Sequence, residues 1–282
     1  MPVDPVAAAT VVVLRDSVGG PEVLMVRRHE RAGDFAGASV FPGGMVDPQD
    51  SDPDLVPLQS GFVVASALAA LGEAIPAAAA RALHVAGCRE LFEEANLLLA
   101  RRADGKPIDE AALERSAQLR LGLQAGTESL KSVLERESAV LALDALLPFT
   151  RWITPEFQPR RWDTRFFLAE APPGQIPLCD GTETCEAVWL RPDAALAAYR
   201  AGEHLLAPPT FRVLEDLRTY ATVAEAFAAF RRAGPPRPIL PVALEGAEVL
   251  TMVYPGDRDY PGRSDRGLNR LVLRDGRWKS ER

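Results

Sequence analysis

Residues 7–14 form an apolar run rich in β-branched side chains, residues 16–21 a turn cluster, and residues 22–27 a second strand-like run. That order predicts an opening β-hairpin. Residues 38–41 predict a short strand ending at Pro42-Gly43-Gly44, where consecutive glycines lead us to expect a sharp, backbone-exposed loop. Residues 47–57, dense in Asp and Pro, read as an irregular excursion, and 62–71 as a short apolar helix. Pro76 suits the first turn of a longer helix, which no proline interrupts before residue 99. Residues 108–120 and 128–146 have helical periodicity, whereas 165–169 and 184–190 read as strands separated by the loop 171–181. Helical patterning returns at 194–201, 210–220 and 221–233, followed by strand-like runs at 239–244 and 248–254. The expected class is mixed α/β.

Composition narrows this picture without redirecting it. With 47% hydrophobic and 25% charged residues, a chain of 282 residues can bury a large core, as one domain or one domain plus an extension. A net charge of -7 opposes nucleic acid or an anionic membrane as the main partner. The three cysteines, Cys88, Cys179 and Cys185, lack the spacing of a zinc knuckle or a disulfide framework, which fits a reducing, cytoplasmic setting. No basic residue precedes the first apolar run, the last residues are not a peroxisomal signal, and the longest apolar stretch falls short of the roughly 20 residues that span a bilayer. We therefore expect a soluble protein with neither a membrane nor a nucleic acid as partner.

The chemistry concentrates in the long helix. Glu90, Glu93 and Glu94 stand at i, i+3 and i+4, side by side on one helical face, while Val85, Cys88, Leu91, Phe92 and Ala95 form a separate apolar stripe. The acidic stripe should face a site or solvent. Neighbouring like charges repel by roughly 0.2–0.5 kcal/mol per pair, so the cluster needs compensation. A hard divalent cation prefers such oxygen ligands, and Arg89, one turn from Glu93, can pair with it. A solvated acidic face is the plain alternative for an isolated Glu-Glu pair.

At these residues the chain resembles the Nudix hydrolase family. Gly44, Arg89, Glu90, Leu91, Glu93, Glu94 and Leu97 match its signature, with Asp50 where a Glu belongs and Asn96 where a Gly belongs. Asp keeps the carboxylate, and Asn tolerates left-handed geometry. Residues 51–88 separate Asp50 from Arg89, far more than the signature spacing. One branch, similar to the peroxisomal coenzyme A diphosphatase of mammals, carries an insertion at this point. Features of that branch also stand at residues 40–44, 152–155, 161–167, 208–211 and 254–257. Of the upstream pattern of coenzyme A-cleaving members, Leu24, Arg28, Gly37 and residues 41–44 fit. Val26, His29 and Gly33 depart from it, and Arg31 is near enough to replace the missing charge.

The resemblance implies a Nudix-type α/β/α sandwich around a mixed sheet, over residues 1–195 with an insertion at 51–75. A carboxy-terminal helical extension, 196–282, is expected to pack on it. It implies that Glu90, Glu93 and Glu94, with the Gly44 carbonyl, bind Mg²⁺ or Mn²⁺, and that Arg89 completes the catalytic group. Arg28, Arg31, Gly43 and Phe41 are expected to contact substrate, with Arg27 as a further phosphate grip; a solvated basic turn is the plain alternative for the three arginines. Glu183 and Glu186 are candidate bases, each with an ordinary surface role as its alternative. His29, His84 and His204 are assigned to no metal, and Trp152, Trp162 and Phe166 are read as core aromatics. Three functional readings follow: a coenzyme A or acyl-coenzyme A diphosphatase, a pyrophosphatase of ADP-ribose or dinucleotides, and a silent nucleotide-sensing or interaction domain. A homodimer is compatible with all three.

Overall fold

The computed structural model describes residues 3–29, 36–262 and 267–282. The expected hairpin is β1 (Val6–Ser17) and β2 (Gly20–Arg28), antiparallel with Ser17 opposite Gly20. β3 (Ser39–Val40) adds to β2, and β4 (Gly43–Met45) adds to β1 with Gly44 opposite Ala9. Gly43 and Gly44 are thus extended strand, and neither takes a positive φ. The sharp loop expected from paired glycines is corrected here: pairing with β1 claims the backbone, so space decides the glycines rather than unusual dihedrals.

The excursion after β4 is two 3-10 turns, Pro48–Ser51 and Pro53–Leu58, then β5 (Gln59–Ser60) and α1 (Val64–Leu71). α2 (Ala77–Ala95) follows, and it stops short of the expected residue 99. Its last amide is followed by Asn96 at φ 55° and ψ 26°, left-handed geometry that ends the helix while the Asn96 N–H still bonds the Phe92 carbonyl.

β6 (Ala100–Arg102), α3 (Glu110–Gln124), α4 (Leu130–Arg136) and β7 (Ala139–Ala142) come next. The single helix expected over 128–146 is therefore wrong beyond Arg136. Ser138 takes φ 49°, and the following apolar run pairs with β5 and β6, a tertiary demand that overrides local helical periodicity. β8 (Leu147–Ile153), β9 (Trp162–Glu170) and β10 (Thr184–Leu190) return the chain to the main sheet. α5 (Pro192–Ala201), α6 (Pro208–Leu217) and α7 (Val223–Ala233) lead to β11 (Pro238–Ile239), β12 (Val242–Ala243), β13 (Thr251–Val253), β14 (Arg270–Arg274) and β15 (Arg277–Glu281). The carboxy-terminal part is thus strand as well as helix, and β12 to β15 form their own antiparallel sheet.

The main sheet runs β10-β2-β1-β9-β8-β11, with β1 and β9 parallel, β8 and β11 parallel, and the other pairs antiparallel. Both faces are covered. Ala9, Val11, Val13, Leu24, Val26 and Phe167 pack on the α2 side, while Val12, Leu14, Val23, Met25, Phe166 and Leu168 pack on the side of α5, α6 and α7. Period-two alternation along each strand sorts the two cores, giving the mixed-sheet sandwich the resemblance implied. Among the described residues, no helix is long and apolar enough to cross a membrane.

Candidate active site

α2 is buried almost all round. Its apolar stripe, Val85, Cys88, Leu91, Phe92 and Ala95, is fully enclosed against the sheet and the insertion. The opposite stripe is not solvated either: Arg89, Glu90 and Glu94 are buried, and the Glu93 side chain is 14% exposed. Taking four charged groups out of water is costly unless they are paired, so their partners define the site.

Arg89 is the hub. Its Nε and Nη2 donate to Asp50 Oδ1 and Oδ2 at 2.8 and 3.0 Å, its Nη1 donates to Glu90 at 2.8 Å and Glu93 at 3.1 Å, and Nη2 also reaches the Met45 carbonyl at 2.9 Å. Asp50 is held in turn by the Asp47 N–H, which donates to its Oδ2 at 2.7 Å. Glu94 is turned the other way and accepts from the Gly43 N–H at 3.0 Å. A Cβ on Gly44 would lie 2.6 Å from the Glu90 carboxyl carbon, and one on Gly43 would lie 2.7 Å from the Thr10 Cα. Those two close approaches are why β4 carries glycines.

The electrostatics are those of an acidic cluster short of positive charge. Burial pushes Glu90 up to about 7, against the pull of Arg89, and it raises Glu93 for the same reason. Glu94 is raised well above the ordinary carboxylate range by burial and then by Glu90. Burial also raises Asp50 despite its forked bond. Burial opposes the charge of Arg89, yet Asp50, Glu90 and Glu93 together hold its pKa above the ordinary value. Asp50, Glu90 and Glu93 share one guanidinium at the hub, while Glu94 bonds the Gly43 N–H and feels the field of Arg28. An excess of hard oxygen donors over cations is the setting a divalent ion suits. With Glu90 and Glu93 turned onto Arg89, no three His, Cys, Asp or Glu side chains among the described residues converge as a ready metal site.

The other expected residues separate. Glu183 stands just before β10, where its carbonyl accepts from the His29 N–H at 2.8 Å, and its charge is felt by both Glu93 and Glu94. Glu186 instead pairs with Arg27 at 3.3 Å, both half exposed. Arg28 Nε is buried, with no hydrogen-bond partner among the described residues. Phe41 packs in the core on the α6 side of the sheet, beneath the site rather than lining it. Arg31 lies outside the described residues. His84 is buried and set against Phe62 and Phe167, and Trp152 and Phe166 are core.

Two residues missed at the sequence level hold the end of α2. Arg120 on α3 donates through Nε to the Phe92 carbonyl at 2.8 Å, and through Nη2 to the carbonyls of Glu93 and Leu178, both at 2.8 Å. Gln124 donates to the Glu93 carbonyl at 2.6 Å. The loop before β10 is tied to the same turn by Leu178 N–H to Ala95 O at 3.0 Å and by Thr184 Oγ1 to Glu94 O at 3.1 Å. A signal for Arg120 existed: it falls in step with Leu113, Ser116 and Leu123 on the buried face of α3. An arginine on an apolar stripe needs acceptors, and the last carbonyls of a helix supply them.

A family model described as the NUDT19 Nudix domain matches residues 57–217. The chain is 27% identical to a Gallus gallus protein named acyl-coenzyme A diphosphatase NUDT19, over 85% of this chain and 73% of that one. It is 26% identical to the Homo sapiens protein of the same name, over 87% and 74%. Its fold resembles the crystal structure of a NUDIX hydrolase from Alicyclobacillus acidocaldarius at a TM-score of 0.67 and 30% identity, covering 80% of this chain and 96% of that one.

Proposed function

The chain belongs to the NUDT19 Nudix domain family, and from that premise we propose that it hydrolyses the phosphoanhydride bond of coenzyme A or an acyl-coenzyme A. The products are 3′,5′-phosphoadenosine and 4′-phosphopantetheine, acylated where the substrate was. The observation that carries this reading is the union, across the insertion, of Asp50 with Arg89 and of Gly43 with Glu94. It assembles the acidic helix and the glycine strand into one buried cluster. The names of the Gallus gallus and Homo sapiens relatives support the substrate class.

In this reading Glu90, Glu93 and Glu94, with the Gly44 carbonyl, would hold Mg²⁺ or Mn²⁺, whose charge would offset the burial that raises the three carboxylates. A divalent cation bound there supplies neutralisation of the diphosphate and acidification of the attacking water. Arg89 fixes the rotamers of Glu90 and Glu93. Arg28, whose Nε is buried without a partner among the described residues, grips the diphosphate by charge-assisted hydrogen bonds. Glu183, whose charge reaches Glu93 and Glu94, takes a proton from the attacking water. We take residues 1–195 as the hydrolytic unit and 196–282 as an extension packed on it. The three cysteines stay free, which supports a cytoplasmic setting.

The test is to incubate the protein with Mg²⁺ and a panel of coenzyme A, acyl-coenzyme A, ADP-ribose, NADH and dinucleoside polyphosphates, and to weigh the products. Cleavage of coenzyme A or its esters ahead of the others is expected. Turnover and Mg²⁺ binding that are unchanged in both Glu93→Gln and Glu94→Gln would end the reading.

A further inference from the structure

The turn that opens β10 joins the end of the carboxylate helix to the strand that carries Arg28. Thr184 stands opposite Arg28 in the pairing of β2 with β10 and is fully buried. On its other side its hydroxyl donates to the Glu94 carbonyl at 3.1 Å. That carbonyl needs a donor from outside α2, which stops at Ala95: the Leu98 N–H, which a longer helix would aim at it, bonds Gln175 Oε1 at 2.9 Å instead. One residue earlier, the Glu183 carbonyl accepts from the His29 N–H at 2.8 Å, just past the end of β2. Residues 183 and 184 thus touch the ends of both elements.

Asp180 fixes this stretch. Its Oδ1 accepts from the Glu183 N–H at 2.7 Å, the Thr184 N–H at 3.2 Å and the Thr182 hydroxyl at 2.7 Å, and its Oδ2 accepts from the Thr184 hydroxyl at 2.9 Å. The Gly181 N–H closes the turn on the Thr184 carbonyl at 2.8 Å. Burial works against the Asp180 charge, yet the bonds from Thr182 and Thr184 hold its pKa below the usual carboxylate value, so the acceptor stays ionised at neutral pH. The hydroxyl hydrogen of Thr184 therefore lies between an anionic oxygen and the Glu94 carbonyl. The strand pairing slips between Thr184 and Glu186, and this bulge leaves Cys185 and Glu186 both exposed while Thr184 points inward. Bulges of this kind re-aim side chains beside functional sites.

For packing alone, valine would fill the place of Thr184 and spare the cost of burying a hydroxyl. What the hydroxyl adds is a fixed place for the Glu94 end of α2 relative to Arg28. We infer that Thr184, held by Asp180, is a positioning residue that sets the spacing between the Glu94 carboxylate and the Arg28 guanidinium. Both Thr184 and Asp180 act through those two groups rather than on the substrate. The inference rests on the reading of Glu94 as a ligand of a divalent ion and of Arg28 as a phosphate grip, because a diphosphate held by both requires them at one separation.

The full chain and its Thr184→Val, Thr184→Ser and Asp180→Asn variants, each checked for an intact fold by circular dichroism, are titrated with Mg²⁺ by calorimetry and assayed with coenzyme A at saturating Mg²⁺. Thr184→Val is expected to bind Mg²⁺ about tenfold more weakly and to raise KM by a similar factor, the scale for losing the partner that orients a metal ligand. Thr184→Ser keeps the hydroxyl and brings both constants back to within about twofold of the parent. Asp180→Asn, which keeps one acceptor oxygen and turns the other into a donor, falls between them. Parent values of either constant in Thr184→Val overturn the inference, as does a loss that Thr184→Ser leaves in place, which marks a packing role. Should Thr184→Val fail to fold, Asp180→Asn carries the comparison, and parent constants there overturn the inference. Glu94→Gln judges the underlying reading separately. Mg²⁺ binding and turnover at the parent level in Glu94→Gln end the assignment of Glu94 and the inference with it, whereas weakened binding in Glu94→Gln beside parent binding in Thr184→Val ends the inference alone.

Discussion

Asp50 and Arg89, 39 positions apart in the chain, are joined by a forked, buried ion pair with bonds of 2.8 and 3.0 Å. The insertion between them is therefore looped out, and the two halves of the signature are closed onto each other by one pair of side chains. Removing one partner strands the other charge in a site that burial already penalises. Asp50→Ala is expected to cost about 3–5 kcal/mol, the range for breaking a buried pair. Urea unfolding checks it; a loss of under about 1 kcal/mol, as for an exposed pair, would mean the two charges are not dependent on each other.

The two glycines of β4 should respond differently. A Cβ on Gly44 meets the Glu90 carboxylate, the end of a side chain that can swing away, whereas one on Gly43 meets the backbone of β1. Gly44→Ala should fold with stability within about 1–3 kcal/mol of the parent but displace Glu90 and weaken Mg²⁺ binding. Gly43→Ala should lose more stability than Gly44→Ala. Calorimetric unfolding and Mg²⁺ titration of both variants separate the effects, and equal losses in both readouts would contradict the geometry.

Arg120 and Gln124 share the Glu93 carbonyl, but only Arg120 also holds Leu178 in the loop that leads to Glu183. Arg120→Met should destabilise by about 1–3 kcal/mol through unsatisfied buried carbonyls. It should also speed amide exchange across 176–184, which Gln124→Met leaves slow. Hydrogen exchange with mass readout decides it; identical profiles for the two variants would reduce Arg120 to a helix cap.

His84, on the same helix as the carboxylates, sets a separate pH dependence. Burial lowers its pKa from 6.5 to about 4, and its Nδ1 bonds the Ala80 carbonyl at 2.7 Å. The folded state thus keeps the imidazole neutral while the unfolded chain takes up a proton. Its contribution is fully present above 6.5 and is lost as pH falls from 6.5 toward 4. Between neutral pH and about pH 5 the loss should be about 2 kcal/mol. Unfolding free energies measured across that window should show a shallower slope in His84→Leu; a parallel slope would assign the dependence to other groups.

Much of this was legible in the chain itself. Strand-like runs rich in apolar residues marked β1, β2, β9 and β10, and the i, i+3, i+4 spacing put Glu90, Glu93 and Glu94 on one face of α2, because strand and helix geometry act over a few residues. Asn96, tolerant of left-handed geometry, is where α2 ends, although the sequence reads as helix on to residue 99. A readable signal was passed over at Asp275-Gly276, both at positive φ, the turn of the β14–β15 hairpin. Other features had no local trace. That 128–146 breaks into helix and strand, that β4 needs glycine for room rather than for a bend, that Phe41 faces the far core, and that Thr184 stands between Arg28 and Glu94 were decided only when distant segments packed together. Contacts between residues far apart in the chain depend on which faces the sheet brings together, and no short window of residues contains that information.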